Sequence, residues 1–370
     1  MNSGNRYCSG QIEPAKPDAH KGICIVKGSS FEKNEPLIEC VPNFSEGRDE
    51  AKISAIARAI AVQDGVQLLH IDPSIDANRT VMTFAGSPSS VIDGAFYSIE
   101  RAAQLIDMSR HSGEHPRVGA TDVCPLVPLR NISMAECAQW ACELGRRVAR
   151  DLEIPVYLYA ESAAHGHRRE LSAIRRGGYE ALSQKMREPE WAPDFGDVFF
   201  NPRTGVTVIG ARKLLIAFNV NLKSRDERAA REIARHIRES GRMVYAPDGR
   251  SELIPGRLKA CQALGWYLSH YQFVQVSMNL TDYQITPIHM AFETVKEEAS
   301  LLGITVTGSE VVGMVPLQAL LDAGSYYLEK QKDFVNEERI LIQTAINSLG
   351  LNDLKRFNPE ERILEYRLFG

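Results

Sequence analysis

Short apolar segments alternate with amphipathic ones along the chain, and their order constrains the fold more than any other feature. Apolar runs predict strands at residues 37–41, 66–71, 79–84, 123–127 and 154–159. Between them apolar residues recur at helical spacing, as at Ile53, Ile56, Ala57 and Ile60. The order strand, helix, strand, strand, helix, strand predicts a split β-α-β module and therefore the α+β class.

The second half of the chain repeats this order more loosely. Apolar runs predict strands at residues 213–222, 264–268, 274–280 and 304–307. The sequence CPLVPL at 124–129 is faintly echoed by MVPL at 314–317. We therefore expect two related split β-α-β modules side by side, followed by a helical segment after Pro316 and a short closing strand near 363–368.

Helix starts carry capping signals. The residues that predict them are Ser87 with Pro88, Ser133 with Glu136, Ser224 with Glu227, and Thr286 with Pro287. A serine followed three residues later by glutamate forms a capping box, and proline is favoured at the first helical position.

The length of 370 residues suits two domains. Residues 1–35 are polar and rich in Lys, Pro and Gly, so we interpret them as a poorly ordered extension. Glycines and prolines accumulate between about 165 and 206, which predicts a join there. The expected units are an N-terminal subdomain at 36–205 and a C-terminal subdomain with a helical tail at 206–370.

Composition excludes several classes of partner. The net charge of −4 gives no reason to expect nucleic acid as a partner, and no apolar run reaches the length of a membrane span. The first residues lack the apolar stretch of a signal peptide. Seven cysteines without a C-x-x-C pattern indicate reduced thiols. We expect a cytoplasmic protein.

The segment HSGEHPR at 111–117 concentrates groups that carry chemistry. His111 and His115 have a spacing that would suit zinc on a helix, but Gly113 and Pro116 argue against a helix there. We expect no metal. As a loop, the segment is either a solvated connection with capping residues or a site where histidine transfers protons and Arg117 holds a carboxylate.

Two further segments allow both a structural and a functional interpretation. Residues 72–80, DPSIDANRT, make a good turn, but Asp72 could orient a histidine, and Asn78 and Arg79 could bind a substrate carboxylate. Residues 191–205 form an aromatic, glycine-broken linker. Such a linker either packs between the modules or helps to line a flat apolar slot in the cleft between them.

These segments resemble the formimidoyltransferase domain of formimidoyltransferase-cyclodeaminase. The resemblance covers about residues 36–370. It rests on the sequences at 37–47, 78–80, 106–111, 113–117, 122–125, 156–159, 191–196, 210–213, 263–268 and 311–316.

The resemblance implies two ferredoxin-like subdomains, a folate site in the cleft between them, and a homodimer. It implies that His115 is the essential histidine and that Asp72 is a second acidic residue of the site. It also implies a folate-binding stretch, matched in part here, at Gly196, Asp197, Val198, Phe199, Phe200, Asn201, Pro202, Arg203, Thr204 and Gly205.

The implied activity is transfer of a formimidoyl group from N-formimidoyl-L-glutamate to N5 of tetrahydrofolate, within histidine degradation and one-carbon metabolism. Tetrahydrofolate, with or without a polyglutamate tail, is then a co-substrate, and no bound cofactor is required. The alternatives are an N-formylglutamate–tetrahydrofolate formyltransferase and a folate-binding protein without catalysis. Because the cyclodeaminase part is not in this chain, we expect that the product is taken by a separate enzyme or released.

The chemistry needs a proton taken from N5 and a proton given to the leaving glutamate nitrogen. An imidazole can do both near neutral pH, which suits His115. We expect Asp72 to pair with this imidazole and stabilise its charged form. The two carboxylates of the donor need cations, and Arg79 and Arg117 are the candidates.

Deletion of residues 1–35 is expected to leave the fold and the activity unchanged, because that segment lacks apolar periodicity. Thermal unfolding and an activity assay of the truncated chain check this. A large fall in either would show that the segment packs on the folded part.

Overall fold

The computed structural model describes residues 31, 34–245, 248–333 and 335–370. It contains two large β-sheets, each with its long helices packed on one face, and two short helices cover part of the other face of the first sheet. The predicted α+β class is therefore confirmed. In this described part, none of the helices has the length and apolar character needed to cross a membrane.

The N-terminal module is built around the first sheet. Its elements are β1 (Leu37–Cys40), β2 (Asn43–Phe44), α1 (Glu50–Ala61), β3 (Val66–Ser74), β4 (Arg79–Gly86), α2 (Pro88–Leu105), β5 (Thr121–Arg130), α3 (Met134–Leu152), β6 (Val156–Leu158), α4 (Leu171–Ile174), α5 (Leu182–Lys185) and β7 (Thr207–Ala211).

Strands β3, β4, β1 and β5 are neighbours in that order, and all pairs are antiparallel. Strand β2 continues between β4 and β5 beyond the end of β1. Helices α1 and α2 therefore each connect two strands that have one antiparallel strand between them. Strand β7 adds parallel to β5, and β6 adds parallel to β7.

The C-terminal module is built around the second sheet. Its elements are β8 (Ile216–Leu222), α6 (Glu227–Ile237), β9 (Arg242–Tyr245), β10 (Ser251–Ile254), β11 (Cys261–Leu268), β12 (Phe273–Leu280), α7 (Ile288–Leu301), β13 (Val306–Val312), α8 (Leu317–Lys330), α9 (Glu338–Leu349), α10 (Pro359–Arg362) and α11 (Leu364–Phe369).

The four-stranded second sheet has the order β11-β12-β8-β13, again antiparallel throughout. The helices α6 and α7 each span one intervening strand, as in the first module. Both sheets thus show the interleaving that split β-α-β modules require, while the ferredoxin-like assignment stays a prediction. Strands β9 and β10 form a separate hairpin between α6 and β11.

The join between the modules differs in detail from the expected one. Strand β7, which the sequence pattern did not predict, lies after the expected boundary at 205 but pairs with β5 and β6 of the first sheet. We propose that the boundary lies between Ala211 and Ile216, where one sheet ends and the other begins.

Two local predictions are wrong. Helix α6 is capped by Asp226, whose side chain accepts from the N–H of Arg228, while the Ser224 hydroxyl accepts from the N–H of Asp226. A carboxylate next to the helix start replaces the expected Ser224 capping box. The expected strand at 363–368 is helix α11, whose buried Leu364 and Leu368 have helical spacing.

Two other helix starts are confirmed. Ser87 caps α2 with Pro88 in its first turn, and Ser133 and Glu136 form a complete capping box on α3. The five cysteines in the described part are free, and Cys124 is fully buried.

Strand β8 shows how the second sheet gains a polar face. Phe218 and Val220 point into the core beneath the helices, whereas the alternate residues Asn219 and Asn221 point away from it. Side chains alternate between faces along a strand, so the sheet has one apolar face and one amide-bearing face. The amide-bearing face is turned towards the N-terminal module, as contacts described below show.

A small apolar cluster joins the modules. Its buried members are Leu37, Leu69, Ala85, Met314, Leu364 and Leu368. Phe31, within the expected poorly ordered extension, packs against this cluster. Residues 1–30, 32 and 33 of that extension lie outside the described residues.

Asp72 also joins the modules. Its carboxylate accepts a hydrogen bond of 2.8 Å from the N–H of Gly313 and lies 3.1 Å from the Arg362 guanidinium. Burial opposes ionisation of Asp72, but Arg362, His70 and the Gly313 N–H outweigh it and hold its pKa below the ordinary value. Burial and the Arg362 charge lower the pKa of His70 to about 4, so Arg362 faces a neutral ring at neutral pH.

Asp72→Asn is expected to destabilise the protein by roughly 1–3 kcal/mol at neutral pH, because it removes a partly buried charged hydrogen-bond partner. Since the pKa of Asp72 is lowered on folding, its contribution is present at neutral pH and disappears in acid as the carboxyl protonates. Denaturant unfolding at several pH values measures this.

The matched control is Asp151→Asn, because Asp151 pairs at the surface with its neighbour Arg150. That change should cost little. Equal stability of the two variants at neutral pH would contradict a linking role for Asp72.

Candidate active site

The structure brings the loops at 111–117 and 72–80 together. Nε2 of His111 donates to the carbonyl of Asn78 at 2.9 Å, and Nδ2 of Asn78 donates to the carbonyl of Ser112 at 2.9 Å. The N–H of Glu114 also reaches the carbonyl of Asp76. The first of these loops follows α2 and enters β5, while the second connects β3 with β4, so one sheet positions both.

Gly113 allows this close approach. A Cβ atom at this position would lie 2.3 Å from the carbonyl oxygen of Ala77. Asn78 adopts a left-handed backbone conformation, with φ of 46°, and its side-chain oxygen accepts from the N–H of Gly47. A short polar residue tolerates that conformation better than a bulky one. The loop pair is therefore fixed by backbone geometry.

His115 is half-buried at the end of its loop. Its Nδ1 lies 2.7 Å from the carbonyl oxygen of Pro116, and its ring packs edge-on against the indole of Trp266 with centroids 5.6 Å apart. A carbonyl oxygen only accepts, so in the neutral ring the proton is on Nδ1. The lone pair of Nε2 then remains available to take a proton.

A buried ion cluster lies beside this histidine. The carboxylate of Asp122, which is fully buried, is bound by Arg79 at 2.5 Å and by Arg175, and it also accepts from the N–H of Val118 at 2.9 Å. Arg79 in addition donates to Asn43. Two guanidinium groups thus share one carboxylate.

Burial and the neighbouring ion cluster set the protonation state of His115. Burial, followed by the charges of Arg79 and Arg175, lowers the pKa of His115 well below its ordinary value, and Asp122 opposes them only in part. Arg175 and Arg79 outweigh the effect of burial on Asp122 and hold its pKa far below the ordinary value. His115 is therefore a neutral base at neutral pH.

The expected pair between Asp72 and His115 is not formed. Within the described residues, the contacts of the Asp72 carboxylate are with Gly313, Arg362 and His70, as described above. The carboxylate near His115 is Asp122. Asp72 lies late in β3, and its carboxylate points to the C-terminal module instead of to His115.

The predicted cations are already engaged with protein groups. Arg79 is committed to Asp122 and Asn43. Arg117 forms a two-point fork with the carboxylate of Glu180, at 2.8 and 3.0 Å, and donates to His111. Because Glu180 is exposed, its place in the fork is open to exchange by a substrate carboxylate.

The segment 196–205 runs from exposed to buried. Val198 and Phe199 are 53% and 76% exposed. The segment's later part packs on the strand entrance, because the carbonyl of Thr204 accepts from the N–H of Ala120. A Cβ atom on Gly205 would lie 2.3 Å from the carbonyl of Val118, so only glycine fits that approach. Residues 196–205 thus lie next to the backbone that follows His115.

Tyr179 connects this segment to the histidine loop. Its ring lies 5.6 Å from the Arg117 guanidinium carbon and 5.4 Å from the ring of Phe200, and its hydroxyl donates to the carbonyl of Pro202. Flat groups, namely Arg117, Tyr179 and Phe200, therefore line the side of the site towards the linker. Neither Tyr179 nor Arg175 was singled out from the sequence, because both lie in a stretch without regular periodicity.

The amide-bearing face of the second sheet forms the opposite wall. Trp266 of β11 contacts His115 and donates from its indole to Oε1 of Gln275 at 2.8 Å. The N–H of His270 also donates to Asp76 across the cleft. These contacts place the histidine between the two modules.

The described residues contain no group of three or more His, Cys, Asp or Glu side chains able to hold a metal ion. The two histidines of the zinc alternative are used differently. Both ring nitrogens of His111 have partners in Asn78 and Arg117, and Nδ1 of His115 is bonded to Pro116.

Comparison with known proteins divides the chain at the same place as the two sheets do. A family described as "Formiminotransferase domain, N-terminal subdomain" matches residues 37–212, and one described as "Formiminotransferase domain" matches residues 217–369. The two ranges meet where the two sheets divide.

Three relatives illustrate the similarity. The chain is 40% identical to glutamate formimidoyltransferase of Streptococcus pyogenes serotype M1, over 82% of this chain and 97% of the relative. It is 44% identical to the enzyme of that name from Thermoplasma acidophilum, over 79% of this chain and 92% of the relative.

It is also 51% identical to formimidoyltransferase-cyclodeaminase of Mus musculus over 89% of this chain, but it spans only 59% of that relative. From the two matched ranges and the near-complete coverage of the shorter relatives, the chain belongs to the formiminotransferase family.

Proposed function

We propose that the protein transfers the formimidoyl group from N-formimidoyl-L-glutamate to N5 of tetrahydrofolate, giving 5-formimidoyltetrahydrofolate and L-glutamate. The observation that carries this is the neutral His115, whose Nε2 is free to accept a proton in a cleft between two modules. The names of the shorter relatives, glutamate formimidoyltransferase, support the same reaction.

The transfer begins when N5 of tetrahydrofolate attacks the formimidoyl carbon and forms a tetrahedral intermediate. N5 then carries a proton that it must lose, and Nε2 of His115 is the acceptor. The resulting imidazolium gives the proton to the glutamate nitrogen, so that the carbon–nitrogen bond breaks to release an amine. One residue serves both steps, and proton balance is kept.

The low pKa of His115 suits both steps. A neutral ring is ready to act as a base at neutral pH. Once protonated beside Arg79 and Arg175, the ring is a stronger acid than a free imidazolium, so it readily gives its proton to the leaving nitrogen.

Substrate contacts are proposed from position. Residues 196–205, with Tyr179 and Phe200 as flat neighbours, bind the folate. Arg117 exchanges Glu180 for a substrate carboxylate, while Asn78 holds the two loops in place. Asp72 contributes by holding Gly313 and Arg362 at the cleft. Arg79 acts mainly through Asp122.

Two alternatives lead to different results in one assay. An N-formylglutamate–tetrahydrofolate formyltransferase would use the formyl donor, and a non-catalytic folate-binding protein would bind folate without turnover. Burial and the neighbouring ion cluster, which together keep His115 neutral, favour catalysis over binding alone. The purified chain should be incubated with tetrahydrofolate and each donor while the folate product is monitored.

Further parts of the proposal rest on the family. Tetrahydrofolate is a co-substrate, with or without a polyglutamate tail, and no permanently bound cofactor is invoked. A cytoplasmic location, a homodimer and a role in histidine degradation also stay predictions.

His115→Ala is expected to lower kcat by about 10²–10⁴-fold with little change in the Kd of tetrahydrofolate, because the change removes the proton carrier. Steady-state kinetics and a folate titration measure the two quantities. His165→Asn, at an exposed histidine of the linker, is the control and should keep normal kcat. Near-normal turnover of His115→Ala at saturating substrates would refute the assignment.

Arg175→Gln is expected to move the acidic limb of the kcat/KM profile to higher pH. Loss of one cation favours the imidazolium, so the pKa of His115 rises and less neutral base remains on the acidic side of the profile. The neighbouring exposed Arg176→Gln is the control. If both variants kept the wild-type profile, Arg175 would have no part in tuning the histidine.

A further inference from the structure

One carboxyl group in the cleft has no part in the transfer described above. Glu310 of β13 lies opposite Asn219 of β8, on the amide-bearing face of the second sheet. Its Oε1 accepts from the side-chain amides of Asn219 at 3.2 Å and Gln275 at 2.8 Å. In the described part of the chain, Oε2 has no hydrogen-bond donor.

The orientation of these amides is fixed from the histidine side. The indole N–H of Trp266 can only donate, so the oxygen of Gln275 faces it and the NH₂ group faces Glu310. The same NH₂ group also donates to Asn221 at 2.8 Å. Gln275, Asn219 and Asn221 are 0%, 3% and 0% exposed, so this is a rigid and pre-oriented cradle.

Within the described residues, the charge at Glu310 is balanced only at a distance, by Lys355. The described ion pairs include no cation bonded to this carboxyl group, and its two donors are neutral amides. Burial, with a contribution from the charge of Asp72, raises its pKa. An ionised carboxylate in this environment costs free energy unless a ligand donates a hydrogen bond to its Oε2 atom.

The second sheet also sets where Glu310 lies relative to Trp266. Trp266, which touches His115, is on β11, and Glu310 is on β13, three strand spacings away. At about 4.8 Å per spacing, the two strand backbones are about 14 Å apart. The side chains are closer than the backbones, because Gln275 bonds to both Trp266 and Glu310. A flat ligand that lies over Gln275 is therefore within reach of both the Glu310 carboxyl group and the side of the cleft that holds His115.

We propose that Glu310, held by Gln275 and Asn219, binds an N–C–N edge of a substrate, that is, a planar carbon that carries N–H donors. This rests on the proposed function, because both of its substrates offer such an edge. The pterin ring has its 2-amino group and N3, and the formimidoyl donor has an amidine. A charged acceptor on a pre-oriented cradle is the chemistry that recognises such donors.

Glu310→Gln tests the proposal and distinguishes the two sources. If the pterin edge is bound, the variant weakens tetrahydrofolate binding by roughly 10- to 100-fold. An analogue with hydrogen in place of the 2-amino group should then bind wild type and variant alike. If the amidine is bound, the KM for the formimidoyl donor rises and the KM for the formyl donor does not.

Thermal unfolding separates binding from a structural role. Without ligand, Glu310→Gln should be as stable as wild type or more stable, because a neutral amide avoids the cost of a half-buried charge that has no bonded cation. The control is Glu293→Gln, at a half-buried carboxylate on α7 that is bound by Tyr327 and Lys330, away from the cleft. It should change neither Kd nor KM.

Two results would overturn the proposal. One is a Kd for tetrahydrofolate and a KM for the formimidoyl donor that both stay within about twofold of wild type. The other is an equal loss of affinity for all ligands together with a fall in Tm. The folate titration needs no turnover, so failure of the wild type to transfer either donor would refute the proposed function separately.

Discussion

The ion cluster around Asp122 is the interaction on which the rest of the site depends. The fully buried carboxylate of Asp122 binds Arg79 and Arg175 and accepts from the N–H of Val118. It therefore joins the start of β4, the loop that enters β5 and the linker, which are far apart in sequence. A buried charge is stable only with such partners, which makes the three segments interdependent. Burial favours the neutral ring of His115, and the surplus positive charge of two cations against one anion adds to this effect. The same ion cluster therefore both holds these segments together and helps to set the protonation state of His115.

Much of the fold could be predicted because its signals are local. Helix caps at Ser87 and Ser133 and the apolar stripes behind them need only a few neighbouring residues. The missed elements depend on distant partners. Strand β2 has two residues, and β7 is short, buried and placed by β5 and β6 rather than by its own pattern. At the C-terminus, Leu364 and Leu368 fit either an extended or a helical segment until their packing on the first module decides.

The candidate site, like the fold, could be predicted only in part from the sequence. The loops at 111–117 and 72–80 could be predicted as neighbours because one sheet carries both. The partner of His115 could not, since the choice between Asp72 and Asp122 depends on where each carboxylate points. Asp72 reaches Gly313 across the module boundary, whereas Asp122 sits inside the cluster. Arg175 and Glu310 have no local sequence signal, because each gains its meaning from charges and amides far along the chain.

The two walls of the cleft end up with complementary properties. The N-terminal side carries the neutral base His115, next to the surplus positive charge of the ion cluster, and the fork between Arg117 and Glu180. On the C-terminal side, buried amides are ordered by the indole of Trp266 and point their N–H groups at a carboxyl group that has no bonded cation among the described residues. Buried amides cost free energy unless each polar atom is paired, so the second sheet retains polar residues on this face at the expense of a simpler apolar interface. The amides are paired with one another, but the carboxyl group they support is completed only by a molecule in the cleft. The same alternation that gives the second sheet its apolar core thus also gives the site its second, electrostatically opposite wall.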